Sequence, residues 1–120
     1  MDLKNYNIEE SSWMTLNDPA GNPTDARIEI VSRDSDTFKK AQRRISEARR
    51  KKAKGLRAAE EETMTYEMIA KCTVSWENIQ NEGKEYKCNY ENALFLYKTT
   101  DWITEQVLAF IADRENFLSI

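Results

Sequence analysis

Between Ala26 and Val31 apolar and polar positions alternate, with Ile28 and Ile30 on one face and Arg27 and Glu29 on the other. A period of two marks a strand with one buried side. Upstream, Trp13-Met14-Thr15-Leu16 is rich in strand formers. The intervening Asn17-Asp18-Pro19-Ala20-Gly21-Asn22-Pro23 is turn chemistry, because Pro fixes φ while Gly and Asn tolerate positive φ. The pattern predicts a β-hairpin over 13–31. A two-stranded ribbon is unstable alone, so Ile28 and Ile30 must pack on a helix. Residues 1–12 offer little to bury and read as a flexible arm.

From Thr37 the period changes. Phe38, Ala41, Ile45 and Ala48 recur at helical spacing on one narrow face. Asp34, Ser35 and Asp36 precede them, and any of the three can accept from the unpaired N–H groups of a first turn. Helical character runs on to Cys72, with Gly55 either a break or an interior glycine costing about 1 kcal/mol relative to Ala. The β-branched and aromatic Thr73-Val74-Ser75-Trp76 ends that stretch, and Asn81-Glu82-Gly83 turns the chain. Asn89 can cap a helix over 90–98. Thr99-Thr100-Asp101 caps the last helix, over 101–117, whose Ile103, Val107, Phe110 and Ile111 share a wide apolar face. Helical spacing assigns Trp102 and Phe110 to the core, while Trp76, in a short connection, is either core or partner-binding. The expected fold is mainly α with a small N-terminal β-hairpin (an α+β chain), 13–120 forming one compact helical domain with helices over 35–72, 90–98 and 101–117.

Charge changes this picture. Ten of the 18 Lys and Arg lie between Lys39 and Arg57, in a chain whose net charge is −3, and Glu60-Glu61-Glu62 follow at once. Such a block is a solvated face, a protein-docking surface or a phosphate-binding one. The pI of about 5.1 and the lack of aromatics interleaved with the basic residues make nucleic acid the weakest of the three. The candidate partner-binding residues are Phe38 and Ile45 on the apolar stripe, Arg43, Arg44, Arg49 and Arg50 around it, and Trp76.

Candidate chemistry changes it less. The chain has no histidine, which removes the commonest general base near neutral pH and both Ser-His and Cys-His nucleophile activation. Gly21, Gly55 and Gly83 form no phosphate cradle, and Cys72 and Cys88 have no metal-ligand spacing. The reading is a non-enzyme, with no cofactor, no metal and two reduced thiols. No apolar run approaches bilayer length, and Met1-Asp2-Leu3-Lys4 lacks the basic and apolar regions of a signal peptide. The expected location is the cytoplasm, with no membrane partner.

One ordered constellation goes further. Cys72 and Trp76 are followed by Gly83-Lys84, by Glu91-Asn92-Ala93 with Leu96-Tyr97, and by Phe110-Ile111-Ala112-Asp113-Arg114 with Asn116-Phe117. Upstream stand Asp18-Pro19 with Gly21, Arg27-Ile28-Glu29-Ile30-Val31 and Arg33-Asp34-Ser35. This order and spacing, from about Trp13 to Phe117, resembles a family of phage tail assembly chaperones. Cys88-Asn89-Tyr90 departs from it, standing where the family has a small-residue segment. The resemblance implies a protein of the host bacterial cytoplasm that coats the aggregation-prone tape measure protein, recruits tail tube protein and leaves as the tube grows. The partners it implies are therefore those two proteins, with homo-oligomerisation open beside them. A virion component, such as a head-tail connector or minor tail protein, is the alternative, and a nucleic-acid-binding regulator is the weaker one.

Overall fold

In the computed structural model, which describes residues 1–52 and 54–119, the alternating stretch around Ile28 is the central strand of a sheet. The elements in chain order are β1 (Asn7–Ile8), β2 (Ser11–Asn17), β3 (Pro23–Val31), α1 (Asp36–Lys51), α2 (Ala58–Cys72), β4 (Thr73–Glu77), β5 (Gln80–Asn81), β6 (Lys84–Glu85), α3 (Tyr90–Thr99), α4 (Asp101–Ala112) and β7 (Leu118–Ser119). Short 3-10 turns cover Leu3–Asn5 and Arg114–Phe117.

The fold is α+β, with 51% helix and 25% strand in three antiparallel sheets among the described residues, which corrects the expectation of a mainly α domain with one small hairpin. The main sheet has the order β2-β3-β4. Its third strand is the Thr73–Trp76 run, whose β-branched and aromatic residues do more than stop α2: they pair with β3, Trp76 opposite Ile28 and Ser75 opposite Glu29. The register shifts between Glu29 and Ile30, so Val74 bulges out and stays exposed on an edge strand, where a bulge discourages further pairing. The other sheets, β1-β7 and β5-β6, have strands of two residues, too short to show any periodicity.

The boundaries differ accordingly. Residues 1–12, read as a flexible arm, are paired from Asn7 onward: β1 lies against β7, Glu9 N–H donates to the Phe117 carbonyl, and Ser11 and Ser12 begin β2. The helical stretch 35–72 is two helices. The last helix ends at Ala112, and a 3-10 turn capped by Asp113 completes it. Of the three candidate caps for α1 it is Ser35 that accepts from Phe38 N–H, while its own hydroxyl donates to the Ser32 carbonyl.

One face of the sheet presents Met14, Leu16, Ala26, Ile28 and Ile30 to the helices, and all are buried with Ile69, Cys72, Tyr97, Val107 and Ile111. On the other face Arg27 lies 4.7 Å over the Trp13 ring and pairs with Glu77 on the neighbouring strand. Among the described residues no buried side-chain polar atom lacks a hydrogen-bond partner. Thr73 Oγ1 donates to the Ile69 carbonyl and lies 2.6 Å from the Tyr97 hydroxyl, and Thr104 Oγ1 donates to the Tyr97 carbonyl. The molecule is a slab of 48 × 45 × 25 Å with a radius of gyration of 15.6 Å. A rounder chain of this length would have about 13.6 Å. The excess comes from projections: the outer turns of α1 and α2, and the β5–β6 hairpin, are exposed nearly throughout.

Candidate functional site

The structure sorts the seven candidate residues instead of assembling them into one site. Phe38 and Ile45 are half-buried and pack against the core, because the stripe they share with buried Ala41 lies on α2. Arg44 and Arg49 flank the same stripe and reach across to α2, Arg44 to Glu67 at 3.9 Å and Arg49 to Glu61 at 2.6 Å. Lys52 and Arg57 both pair with Glu60, whose carboxyl is held down at about 2 by those two hydrogen bonds. Part of the basic block thus closes a helical hairpin in place of a larger core. Arg43 and Arg50 point the other way and pair with no carboxylate among the described residues.

Trp76 is a core residue, only 8% exposed. Its ring stacks on Tyr86 (centroids 5.7 Å apart, planes at 12°) and its indole N–H donates to the Tyr86 carbonyl at 2.6 Å. Arg114 forms a fork on Asp34, at 2.8 and 3.1 Å, joining the turn before α1 to the end of the chain. That guanidinium holds the Asp34 carboxyl below its ordinary range.

The surface that does collect exposed apolar groups is elsewhere, in a groove of about 440 Å³ between the α3–α4 corner and the base of the β5–β6 hairpin. On α3, Ala93 and Tyr97 are buried, which turns Phe95 to the opposite side at 57% exposure. Trp102, expected in the core, lies one step off the buried Ile103–Val107–Ile111 face and is 37% exposed. Leu16 and Ala26 at the strand ends form the floor, and Ile79 and Tyr86 the far wall. Asn78, at φ 61°, sets that wall by donating from Nδ2 to the Asp25 carbonyl. The groove has one charged lining residue, Asp25, and no Lys or Arg. Sequence reasoning missed it because Phe95 and Trp102 sit on helical faces whose partners are fixed only by tertiary packing; the one legible signal was two large aromatics just off the periodic apolar positions.

No helix among the described residues is long and apolar enough to cross a membrane. Compared with known proteins, the chain matches no family model, no curated protein and no solved structure.

Proposed function

We propose that this chain is a phage tail assembly chaperone of the host bacterial cytoplasm, which binds and solubilises the tape measure protein and promotes tail tube assembly. The observation that carries the reading is the half-open apolar groove under Phe95 and Trp102, which supports it together with the ordered motif constellation. A tape measure protein is long and helical, and an apolar helical stripe that has no partner yet would aggregate. A groove with aromatic walls and one carboxylate takes such a stripe, reading anchors at i, i+3 and i+4, and favours clients with Lys or Arg beside it. Its small size suits a coat that must later leave, since interfaces well below about 1,200 Å² are transient.

Co-expression with the cognate tape measure protein tests this hypothesis. The wild-type chain keeps the client in the soluble fraction, and Phe95→Asp/Trp102→Ser loses that effect while still folded by circular dichroism. A client kept equally soluble by the double variant would remove the groove from the mechanism. Finding the chain in purified particles would favour a virion component instead.

A further inference from the structure

The two edges of the main sheet are treated differently. β4 has the bulge at Val74, whereas β2 runs in regular register from Ser11 to Thr15 and shifts only between Thr15 and Asn17. Ser32 N–H donates to the Glu10 carbonyl, and Ser11 stands opposite Val31. Bonded and unbonded pairs alternate along an antiparallel ladder, so Ser12 and Met14 exchange bonds with β3 while Trp13 and Thr15 turn their N–H and C=O outward. Those outward groups have no partner among the described residues.

At Asn17 the same edge is already covered. Gln106 of α4 accepts from Asn17 N–H through Oε1 at 2.8 Å and donates to the Asn17 carbonyl through Nε2 at 3.0 Å. Its carboxamide stands there as the peptide group of a further strand would. Beside Trp13 and Thr15 no described residue plays that part. An open channel of about 320 Å³ lies there instead, between Met14 and Thr15 on one side and Ala109 and Phe110 on the other, and no charged residue lines it. The charge is around it. Met1–Asn17 and Asp101–Ser119 together have seven Asp and Glu against two Lys and Arg, a net of −5. Glu9, Glu29, Asp113 and Glu115 have no ion-pair partner among the described residues. Glu29 stands opposite Trp13, where its carboxylate accepts from the Ser11 hydroxyl at 2.7 Å.

We infer that the free edge of β2 is a docking site for an extended, basic segment of a partner chain, which joins the sheet beside β2. Main-chain bonds to Trp13 and Thr15 hold the segment, and its alternate side chains give specificity. Residues opposite Trp13 and Thr15 share their face of the sheet, where Lys or Arg meets Glu29. The residues between them point into the neutral channel and are apolar, to lie over Phe110. A basic partner is favoured over a second copy, because edge-to-edge pairing would bring two segments of net −5 together. The channel shares no lining residue with the groove under Phe95 and Trp102, so the two sites are separate.

The probe is a fluorescent seven-residue peptide of alternating Lys and Val, blocked at both ends. Titrated with the full chain in about 50 mM salt, it should bind with a Kd below about 1 mM, weakening about fivefold in about 500 mM salt. With peptide bound, the amide protons of Trp13 and Thr15 should shift and exchange more slowly, while those of Phe95 and Trp102 stay put. The same peptide N-methylated at its Lys residues keeps its charge but loses the donors that face β2, and should bind at least about tenfold more weakly. Thr15→Pro removes an outward N–H that β3 does not use, which an edge strand tolerates; it should fold and weaken binding by about the same factor. Glu9→Gln/Glu29→Gln should weaken it about threefold, and a peptide of alternating Glu and Val should not bind. No binding at about 1 mM, or N-methylated and plain peptides bound alike, would overturn the proposal even if Thr15→Pro failed to fold. So would equal binding of the Glu peptide, or a dimer of the chain alone that Thr15→Pro abolishes, which would give the edge to a second copy. None of these outcomes involves the client groove, so the chaperone reading stands or falls separately.

Discussion

Replacing Trp76 by Ala removes the largest side chain of the β4 strand from a site where it is 8% exposed. Large-to-small losses of buried aromatics cost about 3–5 kcal/mol. The indole N–H bond to the Tyr86 carbonyl adds about 1 kcal/mol. The stack on Tyr86 overlaps with the burial term and is not counted twice. A loss of about 4–6 kcal/mol is a large share of the roughly 5–15 kcal/mol by which such domains are stable. Each kcal/mol moves the midpoint of a chain of this size by about 3–6 °C, so Trp76→Ala should melt at least 12 °C or so below wild type. Trp76→Phe keeps a ring against Tyr86 and should lose only about 1–2 kcal/mol. Leu3→Ala, at a position 75% exposed, should stay within about 0.5 kcal/mol. Urea unfolding followed by circular dichroism reads all three. A Trp76→Ala protein as stable as Leu3→Ala would refute the core assignment, as would full stability coupled to lost client binding.

Three further outcomes are expected. Glu82 and Gly83, at φ 53° and 77°, form the two-residue turn between β5 and β6, a type that favours Asn at its first central position. Glu82→Asn should therefore raise stability by about 0.5–1 kcal/mol, read as a higher urea midpoint with an unchanged slope, and a lowered midpoint would contradict the turn geometry. The Glu60 carboxyl, depressed to about 2 from 4.5, stabilises the α1–α2 tip fully above about pH 4.5 and loses that effect as pH falls toward 2. Amide exchange, corrected for its intrinsic pH dependence, should show the turns around Lys52 and Glu60 opening across that window before the sheet does; simultaneous opening would show that the pairs do not hold the tip. Burial pushes the Cys72 thiol up to about 12, so at pH 8 a thiol reagent should label half-buried Cys88 slowly and Cys72 only in denaturant. Fast labelling of Cys72 in the native chain would mean that α2 and β4 separate readily.

The main hairpin and the starts of α1 and α3 were legible because each rests on local chemistry: the alternation of Ile28 and Ile30, the Asp18 turn, the Ser35 and Asn89 caps. What was lost was non-local. Thr73–Trp76 has strand formers, yet nothing in its own residues says that β3, far earlier in the chain, waits beside it, so it read as a helix stop. β1 and β7 are two residues each, at opposite ends of the chain, and exist only as a pair. Their pairing depends on the Phe117 carbonyl being brought to Glu9 N–H by the 3-10 turn, a tertiary event.

The same distinction explains the basic block. Its ten cations were visible as one feature, but the helix sets six of them by angle into two groups with different work. Arg44, Arg49 and Lys52 lie on the side of Ala41 and Ile45, and there they meet Glu67, Glu61 and Glu60. The tip can therefore project without a core of its own, its pairs contributing little singly, with Lys52 and Arg57 sharing Glu60. Lys39, Arg43 and Arg50 lie on the opposite side with no internal carboxylate to satisfy. Reversing all four candidate arginines together would thus confound two effects: Arg44→Glu and Arg49→Glu place like charges against Glu67 and Glu61 and should open the hairpin. Arg43→Glu and Arg50→Glu leave the fold alone and change only what the outer face can meet. A docking defect that follows Arg43 and Arg50 belongs to the surface, and one that follows only Arg44 and Arg49 belongs to the loss of the hairpin.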